Sequence, residues 1–136
     1  MPQLCEPFDP HPARDASLRS MEAVEAGDRE GWLGLFAADA VVEDPIGESP
    51  LDPSGRGHRG RDAIATFYDT VIGPNEVTFR IDQSWAAGDE VANVGTITTK
   101  MGDGTVVHTD GVFTYRVNEN GRVVALRAYW EMARLY

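Results

Sequence analysis

Apolar positions change their spacing about halfway along this chain. From residue 13, Leu18, Met21 and Val24 share one stripe, with Ser17 and Ser20 in or beside it, the spacing of an amphipathic helix. Gly27 suits the end of that helix, and Asp28 suits the cap of a second short one. The second helix carries Trp32, Leu33, Leu35 and Phe36 and frays through Ala37-Ala38-Asp39. Val41-Val42-Glu43-Asp44 reads as a short strand, with Pro45 ending its pairing and holding Asp44 extended. From Asp62, a third helix places Ile64, Phe67, Tyr68 and Val71 at i, i+3, i+4 and i+7, a one-sided core face. Beyond Gly73-Pro74 the runs 76–85, 91–101, 105–117 and 122–132 are rich in β-branched and aromatic residues. Turn residues separate them: Gly88-Asp89, Gly102-Asp103-Gly104, and positions 118–121. Three helical segments followed by antiparallel strands predict one α+β domain over residues 13–136, behind an irregular proline-rich arm at residues 1–12. A strongly curved sheet wrapped around a helix would enclose a pocket.

Composition narrows the class. Hydrophobic residues make up 42% of 136, enough for a core without staples. The single cysteine, Cys5, excludes an internal disulfide framework and a Cys-rich zinc site. Twelve Lys and Arg against 22 Asp and Glu give a net charge of −10, so neither nucleic acid nor a membrane surface is an expected partner. No apolar run approaches the roughly 18 residues of a membrane span, and the polar N-terminal stretch carries no readable secretory signal. A cytoplasmic protein is expected.

Three motifs carry little chemistry. Gly55-Arg56-Gly57-His58-Arg59-Gly60 matches G-x-G-x-x-G, but a Pro-broken loop precedes it and antiparallel strands follow, so it reads as a mobile loop. Arg56, Arg59 and Arg61 either balance charge at a helix start or contact an anion at a pocket rim. His11, His58 and His108 share no metal-ligand spacing, so no metal and no cofactor are expected. His108, beside Thr109 and Asp110, suits hydrogen bonding on the surface, and no G-x-S-x-G elbow is present.

Asp44 carries more. Alternation puts Val42 and Asp44 on one face of their strand and Val41 and Glu43 on the other. Facing an apolar interior, Asp44 would hold a raised pKa and serve as a general base near neutrality. The spacing alone favours a simple turn cap before Pro45.

The stretch Ala38-Asp39-Ala40-Val41-Val42-Glu43-Asp44-Pro45-Ile46-Gly47 resembles the signature of bacterial Δ5-3-ketosteroid isomerases, of the NTF2-like (SnoaL-like) superfamily. Gly60-Arg61, Ala65-Thr66-Phe67-Tyr68, Asn120-Gly121-Arg122 and Ala128-Tyr129-Trp130 recur in the same order. The likeness runs from about Ser17 to Trp130 and is greatest to actinobacterial members. It implies a cone-shaped fold, three helices on a curved antiparallel sheet around an apolar pocket, and a homodimer formed through the sheet. It further implies that Asp44 is the catalytic base, moving a proton from C4 to C6 of a 3-oxo-Δ5 steroid through a dienolate.

Two positions depart from that pattern. Ketosteroid isomerase holds the dienolate oxygen with a Tyr and a protonated Asp; gapless counting puts Ser20 and Phe113 at those places. Tyr68, which matches a supporting tyrosine, and a water held by Ser20 are the expected substitutes. Phe36, Val42, Phe67, Phe113, Leu126 and Trp130 are expected to line a slot for a flat apolar ligand. Asp110 should face away from Phe113 unless a bulge at Gly111 reverses it. The loop from Glu48 to Gly60 is expected to form a lid or rim. Alternatives to isomerisation are steroid or other apolar-ring binding without efficient turnover, and an epoxide hydrolase or cyclase type of reaction. For the hydrolase no Asp-Arg-Asp set can be assembled.

Overall fold

The computed structural model describes all 136 residues. The arm is not irregular throughout: Gln3–Leu4 (β1) pairs in parallel with the edge of the sheet, Gln3 opposite Arg80. Helix α1, Pro12–Ala26, starts with proline in its first turn and with the His11 ring accepting from the Ala13 N–H. It stops at Gly27 in the left-handed conformation. Its buried residues are Ala13, Arg14, Ala16, Ser17, Ser20, Met21 and Val24, with Leu18 half-buried beside them. Small residues dominate among them, which lets α1 lie close against the sheet.

Helix α2, Arg29–Leu33, is a single turn capped by Asp28. The expected continuation through Asp39 is instead strand β2, Phe36–Glu43. Alanines at 37 and 38 favour helix locally, but pairing with a later strand overrides that preference. The loop after β2 contains β3, His58–Arg59, which pairs antiparallel with Val41 and Val42. It is not a free loop: the buried Asp52 carboxylate accepts from Ser54 Oγ and the Gly57 N–H, each at 2.8 Å. Gly57 sits against β2 at φ +85°, where a Cβ would come within 2.7 Å of Val41 and Glu43 side-chain carbons. Helix α3, Arg61–Phe67, runs on into a π-helical turn, Tyr68–Ile72.

Four long strands follow: β4 Glu76–Ala87, β5 Glu90–Lys100, β6 Val106–Val117 and β7 Val123–Tyr129. The seven-stranded order is β1-β4-β5-β6-β7-β2-β3. Neighbours among the four long strands are antiparallel, but β1 with β4 and β2 with β7 are parallel, so the sheet is mixed rather than wholly antiparallel. The β2–β7 pairing (Val42 opposite Leu126, Glu43 opposite Arg127) joins the two halves of the chain and fixes where Asp44 lies. Beyond Tyr129 the chain leaves the sheet, forms a 3₁₀ turn at Met132–Arg134, and returns so that Tyr136 exchanges backbone hydrogen bonds with His108. The core gathers Met21, Trp32, Phe36, Val42, Ile64, Ile81, Val91 and Val123 between α1, α3 and the sheet.

Candidate active site

A cavity of about 360 Å³ opens between the helices and the inner face of the sheet. That volume lies in the range of small-molecule sites. Eighteen of its 24 lining residues are hydrophobic, so an occupant must be largely apolar. Along β6, Tyr115, Phe113, Thr109 and Val107 all face it. Tyr115 to Thr109 is six residues of strand, about 20 Å at the usual rise, so the cavity is elongated. Its two ends differ. Ser20, Trp32 and Tyr115 are each 5% exposed or less and mark the closed end, whereas Met101 and Met132, each 41% exposed, mark the mouth. Leu51 from the loop and Leu135 from the C-terminal turn complete the wall.

Asp44 follows β2 directly and shares the inward face of Val42, as alternation predicts. Glu43 faces out and pairs with Arg127 at 3.1 Å. Trp130 Nε1 donates to Asp44 Oδ1 at 2.6 Å. Oδ2 has no protein partner and is not sealed from the cavity. The residue is half-buried because it borders that cavity, yet protein surrounds it closely. Desolvation is the main cause that raises its pKa, and the Trp130 hydrogen bond and the nearby His58 imidazole partly oppose it.

Trp130 reaches Asp44 because Gly111 lies beneath it. A Cβ on Gly111 would stand 2.5 Å from the Tyr129 carbonyl oxygen and 3.0 Å from Trp130 Cβ. The missing side chain therefore lets the end of β7 turn inward over β6.

Of the residues expected at the site, Asp44, Ser20, Phe67, Phe113, Leu126 and Trp130 line this one cavity. Phe36, Val42 and Tyr68 do not. Val42 is wholly buried in the core, and Phe36 packs edge-on against Trp32 with ring centroids 4.7 Å apart. Tyr68 packs at a tilt against Trp32, ring centroids 5.4 Å apart, and does not line the cavity. Its hydroxyl makes no hydrogen bond to the protein, and burial, with Asp28 nearby, raises its pKa. Tyr68 is therefore not placed to replace a donor at the ligand. The Ser20 hydroxyl is likewise engaged by protein, 2.9 Å from Tyr115 Oη, rather than open to hold a water.

Asp110 faces outward. The β5–β6 register runs unbroken through Gly111, so no bulge reverses it. Its carboxylate accepts from Thr96 Oγ1 at 2.6 Å and from the Tyr136 hydroxyl, and the Thr96 bond leads the causes that lower its pKa. His108 bonds Thr98, and Arg61 donates to the Phe36 carbonyl. None of the three arginines borders the cavity, so no anion contact forms at its rim. No three His, Cys, Asp or Glu side chains come together to hold a metal. The residue that sequence reasoning missed is Tyr115. Two positions from Phe113 on the same strand, it shares that inward face, a signal that period-2 alternation carries.

A model of the SnoaL-like domain matches residues 18–126. The chain is 31% identical over 116 residues to a steroid Delta-isomerase of Nocardioides simplex, covering 85% of this chain and 86% of that one. It is 44% identical to the crystallised Δ5-3-ketosteroid isomerase of a Mycobacterium species, with a TM-score of 0.89 over 92% of this chain and 97% of that one. It is 39% identical to a Mycobacterium tuberculosis protein solved in complex with estradiol-17β-hemisuccinate, with a TM-score of 0.89 over 93% and 99% of the two chains.

Proposed function

The chain belongs to the SnoaL-like domain family, and on that premise we propose that it is a steroid Δ-isomerase acting on 3-oxo-Δ5 steroids. The observation that carries this reading is the carboxylate of Asp44, inward at the wall of an elongated apolar cavity, with one oxygen held by Trp130 and the other free. Oδ2 takes the proton from C4. The C–H electron pair becomes a carbon–carbon double bond, and the carbonyl π electrons move onto oxygen, giving a dienolate. The same carboxyl returns the proton to C6, the carbonyl re-forms, and the double bond ends conjugated to it. Desolvation strengthens Asp44 as a base, because it disfavours the carboxylate more than the acid. Phe113 and Trp130 supply aromatic faces, and Leu126 aliphatic contact, for the rings.

The test is conversion of 5-androstene-3,17-dione, followed by the absorbance of the conjugated enone. The wild type should turn over and Asp44→Ala should not. Saturable steroid binding without turnover in the wild type would replace the isomerase reading with a binding one.

We also infer a homodimer through the outer face of the sheet. Trp85 and Tyr129, 70% and 52% exposed, lie on that face with Val94 and Val112. Sedimentation velocity should give a dimer for the wild type and a monomer for Tyr129→Asp; a monomeric wild type removes the inference.

A further inference from the structure

The closed end of the cavity holds three polar side chains whose hydrogens can be counted against their acceptors. Trp32 Nε1 lies 2.9 Å from Ser20 Oγ, and an indole N–H can only donate, so Ser20 accepts there. Ser20 Oγ also lies 2.9 Å from Tyr115 Oη and has no third partner. Ser20 is buried, which leaves its single proton one acceptor, the Tyr115 oxygen. In the opposite arrangement Tyr115 donates to Ser20 and the serine proton is the one left over, so the empty protein has one unpaired hydroxyl proton either way, and a ketone oxygen beside Tyr115 pairs all three donors at once. With a ketone at Tyr115 the chain runs from the Trp32 N–H through the Ser20 O–H to the Tyr115 oxygen. The Tyr115 proton then has no acceptor in the protein, while its side chain lines the cavity.

We propose that the Tyr115 hydroxyl receives the carbonyl oxygen of the bound ketone and holds the charge that develops there when Asp44 removes the neighbouring proton. Ser20 and Trp32 are positioning residues: they aim the phenol and, by donating into its oxygen, strengthen it as a donor. The inference rests on the isomerase reading above and supplies its missing group. Topology fits. Tyr115 is paired with Leu126, Leu126 with Val42, and Asp44 is two residues beyond Val42 on the same face. Two strand spacings across the sheet, about 9.5 Å, and two residues along it, about 7 Å, thus separate base and phenol, with room for ligand atoms between them. The phenol donates a hydrogen bond and does not transfer its proton, so the proton balance of the isomerisation is unchanged. Burial raises the Tyr115 pKa above its ordinary value, so the hydroxyl stays protonated throughout the neutral range. The polar end also sets orientation, ketone inward and the far rings toward Met101 and Met132.

Three measurements on wild type, Tyr115→Phe, Ser20→Ala and the Ser20→Ala/Tyr115→Phe double variant test this. They are kcat and KM for 5-androstene-3,17-dione, the affinity for the product 4-androstene-3,17-dione, and the absorption maximum of that bound enone, which a donor on its oxygen shifts to the red. Tyr115→Phe should lower kcat by about 10²–10³-fold, the usual effect of removing one such donor, with KM nearly unchanged and the red shift lost. Ser20→Ala should weaken both effects without abolishing them, which a merely structural serine would not do. The double variant leaves no orphaned hydroxyl but strips the Trp32 N–H of its acceptor; its kcat should match Tyr115→Phe, and thermal melts of all four proteins separate lost donation from misfolding. A Tyr115→Phe enzyme with wild-type kcat and an unchanged spectrum overturns the proposal, as does a wild type that binds no enone. A wild type that binds the enone red-shifted but does not isomerise leaves Tyr115 as the carbonyl-recognising group and removes the isomerase reading alone.

Discussion

Trp130→Phe isolates one hydrogen bond at the base. The 2.6 Å contact from Nε1 to Asp44 Oδ1 is short and acts on a carboxylate. Hydrogen bonds to charged groups stabilise by about 1.5–3 kcal/mol. This one stabilises the ionised form only, since it lowers the Asp44 pKa against the opposing effect of burial. Phenylalanine keeps most of the ring but removes the donor. Asp44 must be ionised to accept a proton, so kcat/KM falls on the acid side as Asp44 protonates. Without Trp130 the protonated form persists to higher pH, and the acid limb moves upward. At 1.36 kcal/mol per pH unit, the displacement is about one to two units. A kcat/KM profile for both proteins on 5-androstene-3,17-dione measures it, with thermal melts to show that the ring still packs. An acid limb that stays in place, or moves down, refutes the account of what holds Asp44 ionised.

Asp44→Asn bears on stability as well as activity. A carboxyl whose folded pKa lies above its unfolded one binds more protons in the native state. Stability therefore falls as pH rises from the ordinary aspartate range, near 4, through the raised value. Asparagine escapes that loss, so the variant should melt higher than wild type at neutral pH, and the gain should vanish below about pH 4; melts across pH check it. Gly111→Ala forces a methyl against the Tyr129 carbonyl. Overpacking of this kind costs about 1–3 kcal/mol, or roughly 4–12 °C in Tm, and the displaced Trp130 should raise the acid limb as Trp130→Phe does. Tyr68→Phe should leave kcat unchanged, because Tyr68 packs against Trp32 and does not line the cavity; a large loss would place it back at the ligand.

The elements most legible in the sequence were those with a strong period. The four long strands, the helix from residue 12, its stop at Gly27 and the inward turn of Asp44 all follow from local spacing. What failed had a non-local cause. Phe36–Glu43 is a strand because β7, eighty residues on, pairs with it, and nothing in Ala37-Ala38 announces that. The loop around Asp52 is organised by one buried carboxylate, indistinguishable in sequence from any surface aspartate. At the site, positional matching drew attention to Ser20 and Phe113 as places where donors were missing. The phenol two residues further on went unnoticed, because its importance lies in its contact with Ser20 across 95 positions of chain.

The parallel pairing of β2 with β7 has a consequence for how the protein is made. Asp44 and Trp130 lie 86 positions apart and meet only after the last strand has docked on the second. Contacts at such separation form slowly, because a long loop must close before they contribute any stability. An intermediate that holds the β4–β5–β6 meander and α1 would carry part of the apolar core, yet its carboxylate would still be wet and unaligned. In a refolding experiment, recovery of catalysis should therefore trail recovery of secondary structure, and that lag would time the docking of the final strand.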